Sequence, residues 1–353
     1  MYSEEEVIVE EIIYEDECVQ IIHTTGRVKK AIVYLQFHSS VKVNDVVIVN
    51  NTATKLKLGT GGVNIVAAIK PAVALNLKET RGHIMKARYL PCQHSVLSVE
   101  EQSSEYHELF QQPFQLNEKK ILLGELHSMI PVCYWAAHYF KENLKFVVII
   151  DDHASLPLSF SNQMRALSKQ RNFITITIGQ AFGGTYEAVN IATALQFATV
   201  ILQADVILVS FGPGVVGTNT RYGFSGMEQA NWANLIGSLN GIPVWVPRLS
   251  LADNRERHRG ISHHTLTPLT SFTYAKSVLP LPNVTEEVTN LLKAQTLNLN
   301  DKHQLQWVSG PFEPIISHCL KKSSLEIKTM GRGFEEDPYF FYGVIAAIKL
   351  LLQ

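Results

Sequence analysis

The feature that most constrains the fold is a repeated alternation of short apolar runs and longer helical segments that begins near residue 121. The apolar runs cover residues 121–124, 146–150, 173–178, 206–210 and 242–246. The segments between them predict helices at 131–143, 161–169, 187–202 and 225–239. Uninterrupted apolar strands joined by helices are typical of a parallel sheet buried under helices on both faces. We therefore expect an α/β fold, a three-layer αβα domain of Rossmann-like type with a mainly parallel sheet.

A different pattern precedes this region. Residues 7 to about 75 contain short β-branched runs separated by turn residues and show no helical period, which predicts a small β-barrel. A length of 353 residues suggests two domains and a smaller piece. We predict a small β-barrel domain at 1–80, the αβα domain at 81–285 and a C-terminal extension at 286–353 that packs on the other domains. The extension should end in a helix capped by Asp337, with Pro338 at its first position.

Composition excludes several classes of protein. The chain has 31 basic and 32 acidic residues, a net charge of −1, and is 46% hydrophobic. That apolar share excludes a disordered chain, and the neutral balance argues against a nucleic-acid partner. Charged residues make up only 18% of the chain, below the ~25% that is usual. We therefore expect some surface to be covered by a subunit interface, as in a homodimer.

Cysteine usage and hydropathy predict a cytoplasmic protein. The four cysteines are far apart and form no C-x-x-C pair, which favours isolated thiols in a reducing compartment. The N-terminus lacks the basic start and apolar run of a signal peptide. Residues 188–204 are uncharged but carry polar side chains at helical spacing, so we expect no membrane partner.

Chemistry-bearing residues concentrate after the strands, where ligands bind in open parallel sheets. Asp151, Asp152 and His153 follow the second strand, and a glycine-rich turn at 179–185 follows the third. The fourth strand is followed by the segment 212–221, and the fifth by a segment rich in arginine and histidine at 248–265. We expect the functional site at this edge of the sheet.

The loop 212–217 has the pattern G-x-G-x-x-G directly after a strand. A dinucleotide site also requires a helix that opens on the glycines and an acidic residue about 20 positions later. Here the predicted helix is delayed to about Ser225, and Asp253 lies too far along the chain. An NAD(P) cofactor is therefore not favoured. The loop can bind an anion through its amides or be an ordinary tight turn.

The segment after the fifth strand allows several chemistries. Its arginines suit the capture of phosphate or carboxylate, although a short basic run is often only a solvated surface. His258, His263 and Asp253 are ligand types that would suit a divalent metal. Acid–base work by His263 or His264, oriented by Asp152 or Asp253, is an alternative. The histidines can also be structural. No G-x-S-x-G motif is present, which argues against a serine hydrolase.

Several long motifs occur in order along nearly the whole chain, at 58–62, 179–184, 212–218, 257–265 and 330–333. In these motifs the chain resembles an uncharacterised bacterial family catalogued as a domain of unknown function. That resemblance implies no established activity, so it assigns no catalytic residues.

We expect an enzyme, a hydrolase or group transferase, that acts on a small anionic ligand, phosphorylated or nucleotide-like. The alternative is a non-catalytic ligand-sensing or scaffold protein. The predicted catalytic residues are His263, His264, Asp152 and Asp253. The predicted ligand-binding residues are Gly183, Gly184, Gly212, Gly214, Gly217, Thr218, Arg221, Arg255, Arg257 and Arg259.

Overall fold

The protein is described from a computed structural model that covers residues 2–58, 62–71, 82–299 and 301–353. The side chain of Asp152 and most of the motif at 58–62 lie outside the described residues. The chain divides into two compact units. Residues 1–80 and 89–93 form the barrel unit, and residues 81–88 and 94–353 form the α/β unit.

The barrel unit is a closed five-stranded barrel with the strand order β1-β2-β3-β5-β4. Its elements are β1 (Glu4–Glu15), β2 (Val19–Thr24), β3 (Lys30–Tyr34), β4 (Val46–Asn50), α1 (Thr52–Lys55) and β5 (Asn64–Lys70). Alternate side chains of the strands point inward, so that Val7 and Val9 of β1 meet Val47 and Val49 of β4 in the core. The predicted small β-barrel is confirmed.

The α/β unit contains the remaining elements. Its strands are β6 (Ile84–Lys86), β7 (His94–Val96), β8 (Lys120–Gly124), β9 (Phe146–Asp152), β10 (Phe173–Gly179), β11 (Tyr186–Glu187), β12 (Val206–Ser210), β13 (Ile242–Val246), β14 (Leu249–Ser250), β15 (Gly260–Ile261), β16 (Val278–Asn283) and β17 (Gln304–Ser309). Its helices are α2 (Met129–Phe140), α3 (Asn162–Leu167), α4 (Ile191–Val200), α5 (Glu228–Ser238), α6 (His263–Phe272), α7 (Glu286–Thr296), α8 (Glu313–Lys322) and α9 (Pro338–Leu352).

Eight strands form one sheet in the order β11-β10-β9-β12-β8-β13-β16-β17, and every neighbouring pair is parallel. Helices α2, α3, α8 and α9 pack on one face, and α4 to α7 pack on the other. On β9, for example, Val148 and Ile150 face the first layer, while Val147 and Ile149 face the second. The predicted α/β fold with a parallel sheet between two helical layers is confirmed.

Direction along the sheet explains which face each helix covers. The connections from β8 to β9 and from β9 to β10 lead toward the β11 edge and carry α2 and α3. The connections from β12 onward lead toward the β17 edge and carry α5, α6 and α7. Because crossovers between parallel strands are right-handed, opposite directions place helices on opposite faces.

Three strands of this sheet, β11, β16 and β17, were not predicted from the sequence. Pro280 and Pro282 lack the amide hydrogen that a sheet ladder uses. The structure accommodates them because β16 pairs with β13 only through Val278 and Val244, whereas its pairing with β17 extends over six residue pairs. Residues 286–353 fall within the α/β unit, since β17 extends its sheet and α9 is buried in its core.

The C-terminal helix begins where expected, with Pro338 at its first position. Asp337 occupies the capping position, but its side chain makes no capping hydrogen bond. It accepts hydrogen bonds from Ser250 and Arg332 instead. Among the described residues, none of the helices is long and apolar enough to cross a membrane.

A buried lysine anchors the loop that follows β10. The Lys86 ammonium is fully buried, donates to the carbonyls of Gly179 and Ala181, and lies 3.2 Å from a carboxylate oxygen of Glu187. Burial raises the pKa of Glu187, and the charge of Lys86 opposes that shift. The two charges therefore depend on each other.

The variant Lys86→Met should destabilise the protein by ~3–5 kcal/mol, because it leaves the Glu187 carboxylate buried without its counter-charge. The double variant with Glu187→Gln should recover most of that loss. Urea unfolding at pH 7 measures both. A single variant within ~1 kcal/mol of the wild type would contradict the role given to this ion pair.

Candidate functional site

A cleft of about 880 Å³ lies beyond the carboxyl ends of β8, β12 and β13. The loops after these three strands line it, together with the start of α6 and the segment 326–330. From the predicted site, the cleft is lined by Gly212, Gly214, Gly217, Thr218, Arg255, Arg257, His258, His263 and His264. One cleft therefore brings together residues that are widely separated in the sequence.

Hydrogen bonds to residues 223–225 fix the end of the loop 212–217. Gly214 has φ +98°, a left-handed conformation that glycine adopts without strain. The Val216 amide donates to Ser225 Oγ, and the Thr218 amide donates to the Gly223 carbonyl. Within the described part of the chain, the amides of Gly212, Gly214 and Gly217 donate to no protein acceptor. These amides are available to a ligand in the cleft.

A buried carboxylate organises the opposite wall. Glu125 directly follows β8 and is completely buried. Its Oε1 accepts from Arg248 at 3.1 Å and lies 2.5 Å from His264 Nδ1. Arg248 Nη1 also lies 3.2 Å from His264 Nδ1, but the carboxylate oxygen is closer, and two acceptors would repel at 2.5 Å. We therefore assign the imidazole proton to Nδ1, with Arg248 and His264 both donating to the same Oε1. With the proton on Nδ1, Nε2 is the ring nitrogen that can offer a lone pair, and the Phe224 ring stacks against the imidazole with the ring centroids 3.9 Å apart.

His258 is held in the same tautomer. Its Nδ1 lies 2.7 Å from Ser262 Oγ, and the Nε of Arg257 approaches its Nε2 at 3.4 Å. Because arginine only donates, Nε2 must carry the lone pair and Nδ1 must donate to the serine. Ser262 also caps α6, since its Oγ accepts from the amide of His264. One serine thus fixes both the ring and the start of the helix.

His263 completes a group that we call the histidine cluster, formed by His258, His263 and His264. The ring centroids are 4.4–4.9 Å apart. The Nε2 atom of His263 is buried and has no hydrogen-bond partner among the described residues. Burial, reinforced by nearby positive charge, lowers the pKa of His258 to about 3 and that of His263 to about 4. Both rings are therefore neutral at physiological pH.

Asp253 belongs to a different arrangement from the one predicted. Its carboxylate makes a two-point ion pair with Arg255, at 2.9 and 2.8 Å, and lies 3.7 Å from Arg332. Hydrogen bonds from Arg255 hold the pKa of this carboxyl well below its usual range. Asp253 does not line the cleft. Its predicted roles as base and metal ligand are not tested and stay predictions.

Other predicted residues lie outside the cleft. The Gly183 amide donates to Glu187 and the Gly184 amide donates to Thr177, so the loop anchored by Lys86 uses these donors internally. Arg221 lies over the ring of Tyr222, and Arg259 is exposed beyond the cleft. The side chain of Asp152 is not described.

Glu125, His127 and Arg248 were not assigned roles from the sequence, although each follows a strand of the parallel sheet. Their position beyond the carboxyl end of a strand was the available signal. The side chain of Arg248 is only 8% exposed, so its partner is a buried acid rather than solvent. The segment 326–330 also lines the cleft, although the sequence gave no sign of this beyond the family motif that begins at residue 330.

Fold and site together define a protein with a small β-barrel and a parallel α/β unit. The cleft of that unit combines free amides, arginines and a histidine cluster. The chain belongs to the family described as "Protein of unknown function (DUF3866)", which matches residues 30–348. No curated protein matches it.

His127 lines the cleft and gives a prediction about acid stability. Its Nδ1 donates to the Phe211 carbonyl at 3.2 Å, and its Nε2 accepts from Ser161 Oγ at 2.7 Å. Burial lowers its pKa to about 4. The unfolded chain takes up this proton below pH ~6.5, so the contribution to stability is complete above that pH. It is lost as the pH falls toward 4.

The variant His127→Gln keeps a donor and an acceptor at this position but removes the titration. Between pH 6.5 and 4 the free energy of unfolding of the wild type should therefore fall more steeply with decreasing pH than that of the variant. The difference in slope should correspond to just under one additional proton taken up on unfolding. Urea unfolding at a series of pH values measures the slope. Equal slopes would show that His127 is not buried as a neutral ring.

Proposed function

We propose that the protein is an enzyme that hydrolyses, or transfers a group from, a small anionic ligand bound in the cleft. The observation that carries the proposal is one of placement. Gly212, Gly214 and Gly217, whose amides have no protein acceptor in the described part of the chain, line the same cleft as Arg257 and the histidine cluster. Anion binding and a reactive group would thus occur at one place.

Capture of the anion follows from the donors in the cleft. Unbonded amides in a glycine-rich loop bind phosphate or carboxylate oxygens. Arg257 adds a fork of charged donors, and its side chain is exposed and forms no ion pair with the acids that the structure describes. Arg255 contributes charge but is already paired with Asp253. A cleft of about 880 Å³ has room for a phosphorylated or nucleotide-like molecule.

Catalysis is favoured over binding alone by the interaction between Glu125 and His264. A buried carboxylate that orients an imidazole toward a cleft is costly to maintain, and mere retention of an anion does not require it. Such carboxylate–imidazole pairs fix the ring for acid–base work or for ligation. The histidine cluster is therefore the reactive centre of the proposed enzyme.

Redox chemistry with NAD(P) is not favoured. The G-x-G-x-x-G loop follows β12, and α5 begins at Glu228, well beyond the last glycine of the motif. A dinucleotide site places the pyrophosphate on the N-terminus of the helix that opens on these glycines. The remaining alternative is a ligand-sensing or scaffold protein that binds the same anion without chemistry.

Arg257→Ala tests anion capture, with Arg259→Ala as the matched control. Wild-type protein should be stabilised against heat by members of a panel of inorganic phosphate, sugar phosphates and nucleotides. Arg257→Ala should weaken this binding by about 10-fold or more, since hydrogen bonds to charged groups contribute ~1.5–3 kcal/mol. Arg259→Ala should bind as the wild type does, because that side chain lies outside the cleft. If no anion raises the Tm, the proposal fails.

Glu125→Gln tests catalysis separately from binding. Any compound that stabilises the protein is incubated with it, and product is followed by ³¹P NMR. The variant should lower kcat about 10²–10⁴-fold, the scale of a lost acid–base or orienting contribution, and change KM far less. Binding without product from any stabilising compound would favour the ligand-sensing alternative.

A further inference from the structure

We propose that the histidine cluster binds one divalent transition-metal ion of the borderline class that includes Zn²⁺, and that His258, His263 and His264 are its ligands. The inference rests on the proposed function for the chemistry that the ion would serve. It assigns the histidines to ligation rather than to proton transfer. Neutral imidazoles suit Zn²⁺, Cu²⁺, Ni²⁺ and Fe²⁺ and are poor ligands for Mg²⁺ or Ca²⁺.

The distances between the rings are close to those of a coordination site. One ring nitrogen from each histidine lies within 4.8 Å of the others. Dividing 4.8 Å by √3 places an ion at their centre at most ~2.8 Å from each nitrogen, against ~2.0–2.1 Å in a formed Zn–N bond. Small rotations of the three side chains would close this gap.

Outer partners orient two of the ligands. Glu125 binds Nδ1 of His264, and Ser262 binds Nδ1 of His258. Each bond leaves a lone pair on Nε2 of its ring. Metal-binding histidines almost always engage their second nitrogen in this way, which fixes the tautomer and the ring orientation. Two residues of the cluster therefore carry the support that a metal ligand needs.

The third ligand shows an unsatisfied group. His263 Nε2 is buried without a partner among the described residues. Buried polar atoms are nearly always satisfied, so an isolated one requires an explanation. A metal ion at the centre of the cluster would satisfy it. Arg257 approaches His258 Nε2 at 3.4 Å, a long contact that an exposed side chain can release on ligation.

The charges around the histidine cluster suit a metal ion that also binds an anionic ligand. Neutral ligands leave the double positive charge intact, and Glu125 is already shared with Arg248. Arg257 and the N-terminus of α6 add further positive character. An anionic oxygen in the fourth position would balance the site. A zinc ion bound in this way can polarise a phosphoryl oxygen and lower the pKa of water.

A second group of potential ligands provides the internal control. Asp151, His153 and Glu228 also place ligand atoms within 4.8 Å of one another. Asp151 accepts a hydrogen bond from Trp232 Nε1 at 2.7 Å, and His153 is exposed. Within the described part of the chain, Asp151 is the one member of this group bonded to a buried partner, Trp232, and His153 has none. We therefore expect no comparable affinity there.

The experiment uses the full chain without an affinity tag, stripped with a chelator and titrated with ZnCl₂ by calorimetry. The wild type should bind one Zn²⁺ per chain, confirmed by mass spectrometry of the dialysed protein. His263→Ala and His263→Gln should weaken the affinity at least 100-fold. Glu125→Gln should weaken it 10–100-fold, as loss of an orienting partner does. Asp151→Asn should bind as the wild type, and circular dichroism of the stripped proteins checks that each variant is folded.

The outcomes separate this inference from the proposed function. No bound zinc, or loss of binding with Asp151→Asn but not with the His263 variants, overturns the metal site. Cobalt substitution gives a second readout, since three nitrogens and one oxygen should produce intense tetrahedral absorption bands. Zinc binding without stabilisation by any anion would support the metal site and overturn the proposed function. If anions stabilise the stripped protein and the protein binds no zinc, the proposed function is supported and the metal site is overturned.

Discussion

The buried carboxylate of Glu125 is the interaction on which the cleft depends. It lies at the end of β8 and is shared by Arg248, which follows β13, and His264, in the first turn of α6. Breaking a buried ion pair from one side costs ~3–5 kcal/mol, so the three side chains hold one another in place. A single charge thereby links two neighbouring strands of the sheet to the helix that carries the histidine cluster.

The remaining walls follow from this arrangement. Phe224, which follows the loop 212–217, stacks on His264 and so connects this part of the chain to α6. Ser262 caps α6 and orients His258 with one hydroxyl group. Asp253 accepts hydrogen bonds from Arg255, and Asp337 accepts from Ser250 and Arg332. Among the described residues, Arg257 has no acidic partner. Hydrogen bonds therefore orient the rings of His258 and His264, whereas the side chain of Arg257 is exposed.

The sequence predicted the two architectures and the edge of the sheet where the cleft lies, because apolar periodicity and the succession of strands and helices along the chain are local patterns. It did not predict β16, whose prolines conceal a strand, or the segment 326–330, which long-range packing brings to the cleft. Glycine content did not separate the loop 212–217 from the loop 179–184. Only the structure shows that Glu187 and Thr177 use the amides of the second loop. Asp253 was grouped with the histidines because sequence distance cannot reveal its pairing with Arg255.

The most direct test of this account is the tautomer of His264, measured by long-range ¹H–¹⁵N correlation NMR of the stripped protein at pH 8. If Glu125 orients the ring, Nδ1 should carry the proton and Nε2 should show the shift of an unprotonated nitrogen. The variant Glu125→Gln should lose that preference, because an amide can donate to the ring as well as accept from it. A proton on Nε2 in the wild type would contradict the account, since that nitrogen could then neither accept a proton nor bind a metal.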